Sequence, residues 1–195
     1  LLLVQNATAQ WKIPSEAPLL TKWAKDVSPA NALPEYPRPQ LVRDEWMNLN
    51  GLWQYKEAKE NEDPPFGQAL AGMILVPYPI ESALSGVMKT AERLWYRRTA
   101  TLPTGWTGRR VVLHFGAVDW EARVFVNGKA VGQHRGGYDP FSFDITAALK
   151  PEGEQELVVD VYDPSDGGNQ PRGKQVLKPS GIWYTPSTGI WQTVW

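Results

Sequence analysis

Closely spaced acidic residues are the first candidates for catalysis in this sequence. Asp119 stands two residues before Glu121, and Asp160 stands close to Tyr162 and Asp163. Residues i and i+2 of a β-strand share a face, and hydrolysis of a glycosidic bond with retention needs two carboxyl groups about 5–5.5 Å apart. Acidic residues beside turns, however, mostly cap the backbone or face water. We therefore predict that the chain contains no catalytic carboxylate pair.

A nucleophilic or metal-dependent site is not indicated either. His114, Ser142 and Asp144 are the residue types of a catalytic triad, but the chain has no Gly-x-Ser-x-Gly elbow. His114 and His134 are the only histidines, and cysteine is absent. These counts exclude disulfides, thiolate metal sites and a His-rich metal site. We predict no metal and no cofactor.

Sugar recognition is the chemistry that the residue types favour. Pyranose faces stack on Trp and Tyr rings, and sugar hydroxyls bond to Asp, Asn, Gln and Arg side chains. Both kinds of side chain occur in residues 163–187, a glycine-containing segment that predicts a long and therefore functional loop. The predicted carbohydrate-binding residues are Arg172, Lys174, Gln175, Lys178, Trp183 and Tyr184. For Trp183, packing against another domain is an equally good interpretation, because Trp is enriched at interfaces.

The composition is that of a globular protein without a strong charge. The 195 residues are 42% hydrophobic and 21% charged, and the formal net charge is −1. Such a chain has no field that would attract nucleic acid or an anionic membrane surface. No stretch approaches the roughly 18 apolar residues that a membrane span needs. We therefore predict neither nucleic-acid binding nor a membrane span.

The N-terminal forty residues divide into two parts. Residues 1–4 are apolar and precede Ala7-Thr8-Ala9, the A-x-A pattern of a signal-peptide cleavage site. We predict that residues 1–10 are a signal-peptide remnant and that the protein is periplasmic or secreted. Residues 11–40 contain six prolines and no hydrophobic periodicity. They predict an irregular arm, with Trp11 and Trp23 as its anchors.

From residue 41 onward the hydrophobic pattern alternates as in β-strands, most clearly over 93–102, 111–115, 122–126, 141–145 and 157–162. Leu94 and Tyr96 share one face of their strand and Trp95 lies on the other. Arg98 interrupts the apolar face. Arg97 or Arg98, if buried in the strand, needs a partner, for which Asp144 is a candidate.

The turns between these strands also favour an all-β domain. Asn127-Gly128 favours positive φ at both positions and predicts a tight hairpin. Short strands at this spacing, without helical patterns between them, predict an all-β sandwich or jelly roll over residues 41–195. The last strand, over residues 190–195, ends the chain inside an apolar segment, which leads us to expect that the polypeptide continues.

Several ordered blocks resemble the sugar-binding domain of family 2 glycoside hydrolases, the group of β-galactosidases, β-glucuronidases and β-mannosidases. The first block is Asn48-Leu49-Asn50-Gly51-Leu52-Trp53 and the last is Gly189-Ile190-Trp191-Gln192. Between them, in order, stand Pro79-Ile80-Glu81-Ser82, Leu94-Trp95-Tyr96-Arg97-Arg98, Phe115-Gly116-Ala117-Val118-Asp119-Trp120, Gly136-Gly137-Tyr138-Asp139-Pro140-Phe141 and Ile182-Trp183-Tyr184-Thr185-Pro186. Each block is weak alone, but the ordered set over residues 41–195 is specific.

The resemblance implies a jelly-roll β-sandwich like that of galactose-binding domains, preceded here by the irregular arm. In the family, this domain is followed by an immunoglobulin-like domain and by a (β/α)₈ barrel with two catalytic Glu residues. The resemblance thus implies a non-catalytic domain of an enzyme that hydrolyses O-glycosyl bonds in carbohydrate metabolism. Its implied partners are a carbohydrate and the downstream domains of its own polypeptide.

The sequence departs from the family pattern at two positions. The best-known β-galactosidases bring an Asn near a Tyr-Pro-Ile segment and an Asp ahead of the final strand to the sugar site. Residues 75–80 contain no Asn here, and residues 174–189 contain no acid. We therefore do not expect those two contacts to galactose. An independent carbohydrate-binding module and a purely structural bracing domain remain alternative interpretations.

Overall fold

The computed structural model describes residues 11–195, so the predicted signal-peptide remnant lies outside the described residues. This part of the chain holds ten β-strands and five 3₁₀ helices of three residues each. The strands are β1 (Gly51–Glu57), β2 (Gly72–Val76), β3 (Arg93–Thr101), β4 (Val112–Phe115), β5 (Val118–Asp119), β6 (Glu121–Val126), β7 (Lys129–Arg135), β8 (Phe141–Asp144), β9 (Glu154–Tyr162) and β10 (Gly189–Ile190). None of the helices in residues 11–195 has the length and apolar character that crossing a membrane requires.

Six strands form one antiparallel sheet in the order β2-β1-β3-β9-β6-β7. β9 lies inside this sheet, where it pairs with β3 on one side and with β6 on the other. The predicted hairpin connects β6 to β7: Asn127 and Gly128 have φ angles of 49° and 79°. The Asn127 amide also donates to the Gln155 side chain at 2.8 Å, so the hairpin is tied to the start of β9.

A second layer of short strands covers one face of the large sheet. β4 pairs with β8, and β5 pairs with β10. Residues 193–195 add a further antiparallel segment beside β4: the backbones of His114 and Trp195 exchange two hydrogen bonds, and Gly116 N donates to Thr193 O. The core between the layers contains fully buried side chains such as Trp53, Tyr96 and Phe115. The predicted all-β sandwich with an irregular N-terminal arm is confirmed.

The outer face of the large sheet is buried where the alternating pattern predicts an exposed side chain. Trp95 is only 1% exposed, because residues 58–71 fold over it and bring Phe66 and Leu70 into a second small cluster with Phe125 and Val158. A strand in the middle of a sheet is covered on both faces when a loop returns across it, and the alternation of the strand itself does not show this.

The arm packs against the sandwich without joining a sheet. Trp11 Nε1 donates to Leu84 O at 3.1 Å, and the Asn50 amide donates to Ala32 O at 3.1 Å and to Leu33 O at 3.2 Å. Trp11 is therefore an anchor, as predicted. Trp23 is 64% exposed and does not anchor the arm.

Arg98 finds its partners on the backbone, so the predicted pairing with Asp144 is wrong. Its Nη1 donates to Leu49 O at 2.9 Å and to Asn50 O at 2.7 Å. Asp144 instead pairs with Arg110 at 2.8 Å on the surface. Main-chain carbonyls that precede a strand need donors of their own, and a guanidinium supplies several N–H groups in one plane.

Candidate functional site

The connection between β9 and β10, residues 163–188 (the site loop), consists of two limbs joined by an excursion. Gln175 and Tyr184 form a parallel bridge: Val176 N donates to Tyr184 O at 3.0 Å, and Tyr184 N donates to Lys174 O at 2.9 Å. These bonds hold residues 175 and 184 together and close residues 176–183 into a smaller loop, which we call the excursion. The limbs on either side of it lie against one end of the sandwich.

A cavity of about 280 Å³ lies between the site loop, β5 and the segments after β7 and β10. Pockets for drug-sized ligands measure about 300–1,000 Å³, so this volume suits a ligand as small as one sugar ring. Its lining combines charged, amide, hydroxyl and aromatic side chains: Asp119, Tyr138, Arg172, Gly173, Lys174, Gln175, Tyr184, Thr185, Ser187 and Trp191. We call it the polar cavity.

Gln175 ties the site loop to the sandwich. Its Nε2 donates to Asp119 Oδ2 at 3.0 Å and to the Tyr138 hydroxyl at 3.3 Å, and its Oε1 accepts from Ser187 N at 2.6 Å. One side-chain amide thereby connects both limbs of the site loop with β5 and with the turn after β7. The shape of the polar cavity depends on this residue.

The Asp119 carboxyl lies at the floor of the polar cavity and is 3% exposed. A Cβ atom at Gly137 would lie 2.3 Å from Asp119 Oδ1, so only glycine lets the backbone close over this carboxyl. Burial, opposed by the hydrogen bond from Gln175 and aided by the charge of Asp163, raises the pKa of Asp119 to about 6. Near neutral pH the floor therefore carries a carboxylate, which is a strong acceptor for hydroxyl donors.

Two further acids hold the end of the site loop. Thr188 N donates to Glu81 Oε2 at 2.9 Å, and Thr188 Oγ1 donates to Asp163 Oδ2 at 2.7 Å. Burial raises the pKa of Glu81 to about 7. Glu81 Oε1 and the Tyr96 hydroxyl are buried without a hydrogen-bond partner among residues 11–195. The return of the loop to the sheet thus rests in part on Glu81, a carboxyl group that is costly to ionise.

Three aromatic rings form the side of the polar cavity. Tyr138 and Trp191 meet edge to face with ring centroids 6.3 Å apart, and Trp191 Nε1 donates to Gly137 O at 2.7 Å, which fixes its ring. Tyr184 is 65% exposed and stands at the mouth. A polar floor beside aromatic faces is the combination that pyranose recognition uses.

Four of the six residues predicted from the sequence line the polar cavity: Arg172, Lys174, Gln175 and Tyr184. The other two, Lys178 and Trp183, lie on the excursion and do not line it. There Trp183 is 41% exposed and stands with the exposed Leu177 and Ile182. We call these three side chains the apolar tip.

Sequence reasoning did not select Tyr138 and Trp191, and it considered Asp119 only as half of a catalytic pair; the fold brings all three to the cavity that Gln175 lines. Each of the three stands in a block that carries the family resemblance, and Tyr138 follows a Gly-Gly pair that marks a close backbone approach. These sequence features are signals from which the three residues could be predicted. Their meeting with Gln175 depends on pairing between distant strands, which no local pattern encodes.

The arrangement can bind and orient hydroxyl groups. Asp119 and Glu121 have different partners, since Glu121 Oε2 accepts from Arg135 at 2.9 Å while Asp119 accepts from Gln175. In the part of the chain that the structure describes, no group of three or more His, Asp or Glu side chains could hold a metal ion.

Comparison with known proteins identifies the domain. Residues 66–186 match the family model described as glycosyl hydrolases family 2, sugar binding domain. The chain is 30% identical over 148 residues to a beta-glucuronidase of Paenibacillus borealis, covering 71% of this chain and 24% of that protein. It is 35% identical over 103 residues to a beta-galactosidase of Thermoanaerobacter pseudethanolicus, covering 52% and 13%.

Solved structures agree with the sequence relatives. A beta-glucuronidase of Lactobacillus rhamnosus matches with a TM-score of 0.53 and 29% identity over 63% of this chain and 22% of that one. The chain spans about a quarter of the length of the beta-glucuronidases it matches. Since the family model covers more than half of the chain, the chain belongs to glycosyl hydrolase family 2, within that family's sugar-binding domain.

Proposed function

We propose that this chain is the non-catalytic sugar-binding domain of a family 2 glycosidase, and that the polar cavity completes the sugar site of a catalytic domain in the same polypeptide. The observation that carries this proposal is the lining of the cavity. One small pocket joins a buried carboxyl, a fixed amide and three aromatic rings, and these are the groups that recognise a pyranose.

The ligand contacts follow from the geometry. Gln175 donates both of its amide hydrogens within the protein, to Asp119 Oδ2 at 3.0 Å and to the Tyr138 hydroxyl at 3.3 Å, so the Tyr138 hydroxyl keeps its own hydrogen to donate to a sugar hydroxyl. The Tyr184 ring, at the mouth, offers a face for the C–H groups of the ring. Arg172 and Lys174 add positive charge to the wall.

The cavity alone is a weak site. Its mouth is open at Tyr184, so few of the sugar's hydrogen bonds would be removed from water. We expect the isolated chain to bind mono- and disaccharides in the millimolar range or more weakly, since about −4 kcal/mol corresponds to about 1 mM. A catalytic domain facing the mouth would supply the missing wall.

The apolar tip supports such a neighbour. Leu177, Ile182 and Trp183 are all exposed on this excursion of eight residues, 176–183, and large exposed apolar side chains favour contact with another protein surface. We infer that the tip packs against the downstream catalytic domain. In the full-length protein, Trp183→Ala should lower kcat/KM while leaving the stability of this domain nearly unchanged.

The reaction class is inferred from the relatives. They are named beta-glucuronidase and beta-galactosidase, so we infer hydrolysis of an O-glycosyl bond by two carboxylates of a downstream barrel. The A-x-A pattern in residues 1–10 supports a periplasmic or secreted location.

The test uses the full-length protein with chromogenic β-glucuronide, β-galactoside and β-mannoside substrates. Gln175→Ala and Tyr184→Ala should each lower kcat/KM by about tenfold or more, because the first releases the site loop from Asp119 and the second removes the aromatic face at the mouth of the cavity. Lys178→Ala, on the same loop but outside the cavity, is the matched control and should retain the parental kinetics.

Three results would contradict the proposal. Unchanged kinetics of the Gln175 and Tyr184 variants would remove the cavity from the sugar site. Turnover by the isolated chain that is abolished by a substitution within residues 41–195 would make the domain catalytic. A micromolar Kd of the isolated chain for a glycan would identify an independent carbohydrate-binding module.

A further inference from the structure

The part of the site loop that bounds the polar cavity carries positive charge and no negative charge. Residues 172–188 contain Arg172, Lys174 and Lys178 and neither Asp nor Glu, although the whole chain has a formal net charge of −1. Arg172 and Lys174 line the polar cavity, whereas Lys178 does not. Two of the three positive charges of this segment therefore lie at one pocket.

Neither of these two cations is neutralised inside the domain. The ion pairs of residues 11–195 join five other arginines and one other lysine to carboxylates, and none of them includes Arg172 or Lys174. Arg172 Nη1 donates to Asp166 O at 2.5 Å, and a guanidinium has five N–H donors. With respect to the described residues, most donors of Arg172 are therefore available to a ligand.

A tight turn fixes the backbone that carries the two cations. Gln175 N donates to Arg172 O at 3.1 Å. Tyr184 N donates to Lys174 O at 2.9 Å. Between the two cations, Gly173 has a φ angle of 59°, a conformation that favours glycine. Because the backbone is already held in place, a ligand does not have to order the loop in order to reach both side chains.

The positive charges lie apart from the acidic floor of the cavity. Among the described residues, Asp119 alone brings a carboxyl group to the lining. A positive charge beside a carboxylate lowers its pKa, but the pKa of Asp119 is shifted by burial, by Gln175 and by Asp163. Neither Arg172 nor Lys174 is among the groups that shift it. The cavity thus has an acceptor on one side and cationic donors on another.

A ligand that matches this lining combines three features. Hydroxyl groups suit the Asp119 acceptor, and an apolar ring face suits the aromatic rings of Tyr184 and Trp191. An anionic group would receive charge-assisted hydrogen bonds from the cationic side, and such bonds are about twice as strong as neutral ones. A free inorganic anion would use the cations and leave the aromatic faces without a partner.

We propose that the polar cavity selects a pyranose that carries an anionic group, a carboxylate or a sulfate ester, and that Arg172 and Lys174 bind this group. The inference rests on the function proposed above and adds the class of sugar to it. Arg172 and Lys174 are then specificity-determining residues, since they distinguish a charged sugar from a neutral sugar with the same ring.

Inhibition of the full-length protein by matched sugars tests the inference. Methyl β-D-glucuronide and methyl β-D-glucoside differ only at C6, where one has a carboxylate and the other a hydroxymethyl group; the galacturonide and galactoside form a second pair. In at least one pair the charged sugar should have an inhibition constant about tenfold lower, measured against a chromogenic substrate that the protein hydrolyses. Arg172→Gln/Lys174→Gln should reduce this ratio by about fivefold or more.

Matched variants separate the cavity from general charge. Lys178→Gln removes the same charge from the excursion and should keep the ratio within about twofold of the parental value. Arg172→Lys keeps the charge and should lower the ratio less than Arg172→Gln does. Lys174→Gln changes an exposed side chain, so it provides the test even if the double variant does not fold, and it should lower the ratio by about twofold or more.

Three results would overturn the inference. They are equal inhibition by the charged and the neutral sugar in every pair, an unchanged ratio in the variants of Arg172 and Lys174, and an equal loss of the ratio in Lys178→Gln. Methyl β-D-glucoside 6-sulfate, compared with the glucuronide, shows which anionic group is bound. The affinity for the charged sugar should also fall as the ionic strength is raised from about 0.01 M to about 0.3 M, whereas that for the neutral sugar should not.

Two further variants distinguish this inference from the proposed function. If Gln175→Ala and Tyr184→Ala weaken the binding of charged and neutral sugars alike, and the variants of Arg172 and Lys174 leave the ratio unchanged, the cavity is a sugar site without charge selection and only this inference fails. If Gln175→Ala and Tyr184→Ala affect neither kind of sugar, the proposed function itself fails.

Discussion

The two cavities of this domain are similar in volume, about 280 and 230 Å³, and opposite in chemistry. The polar cavity is bounded by a loop that the Gln175 side chain ties to the buried Asp119, and it leaves the exposed Tyr138 and Tyr184 available to a ligand. The other cavity, which we call the apolar cavity, is bounded by strands and lined by aliphatic side chains such as Leu102, Leu113 and Ile145 beside the fully bonded Gln155 amide. Polar side chains thus make up most of the lining at one end of the sandwich, whereas aliphatic side chains make up about half of the lining at the other.

The largest difference between the two ends should appear in stability. Leu113 is buried in the wall of the apolar cavity, so Leu113→Ala enlarges a void in the core and should cost about 2–5 kcal/mol. Tyr184→Ala, in the wall of the polar cavity, should change the free energy of unfolding by less than about 0.5 kcal/mol. Urea denaturation of both variants measures the difference. Equal losses would show that the site loop is part of the core.

A smaller effect should distinguish the polar end by its pH dependence. Burial raises the pKa of Glu81 to about 7, above its value of about 4.5 in an unfolded chain. The folded state therefore holds this proton more tightly, and the contribution of Glu81 to stability falls as pH rises from about 4.5 to 7. Glu81→Gln keeps an acceptor for Thr188 N and removes the charge, so it should stabilise the domain at pH 8 by about 1–3 kcal/mol.

Thermal unfolding between pH 5 and 8 checks this expectation for Glu81. Glu121→Gln, which removes a carboxylate paired with Arg135 at the sheet edge, is the control and should shift stability by no more than about 1 kcal/mol. If the stability of the Glu81→Gln variant changed with pH as that of the parent chain does, ionisation of this carboxyl would not destabilise the folded state.

The floor of the polar cavity should make sugar binding depend on pH. The pKa of Asp119 is raised to about 6, so the carboxylate acceptor is lost as pH falls through that value. Sugar affinity of the isolated chain should rise several-fold between pH 5 and 7, on the order of 1 kcal/mol. Asp119→Asn should flatten the profile. NMR titration of the chain with a monosaccharide measures it, and a profile unaffected by Asp119→Asn would separate this carboxyl from the ligand.

The smallest expected effect is a difference in sugar binding between variants at two lysines of the site loop. Lys174 lines the polar cavity and Lys178 lies on the excursion. Lys174→Ala should weaken sugar binding by about two- to fivefold, as loss of one exposed polar contact does. Lys178→Ala should leave it unchanged. The same titrations report both, and an equal effect of the two substitutions would mean that general positive charge, not the cavity, attracts the ligand.

The sequence predicts the sandwich well because its strands obey local rules. Alternation placed Tyr96 and Phe115 in the core, and Asn127-Gly128 marked the hairpin, since both signals act over a few residues. Trp95 and Arg98 show the limit of these rules. Trp95 is buried by a loop that returns over its strand, and Arg98 bonds to carbonyls 48 and 49 residues away.

The candidate site was predictable only in part for the same reason. A long loop with Gln, Lys and Tyr side chains indicated where a ligand contacts the domain, and four of the six selected residues line the cavity. The carboxyl group at the floor of the cavity was not predicted as part of the site, because Asp119 and Gln175 are 56 positions apart in the chain. Contacts of that separation are set by the order of strands in the sheets, which the blocks of family resemblance indicate and periodicity does not.

The place of β9 within the large sheet also shapes how this domain is made. β3 and β6 both pair with β9 and not with each other, so until β9 is available the sheet exists as two unconnected halves. On the ribosome, β9 emerges about 50 residues after β3 ends, which at about 5–20 residues per second is a delay of several seconds. During that interval the edges of β3 and β6 are open to other strands. Nascent chains of this domain should therefore depend on chaperones until the residues of β9 have been synthesised.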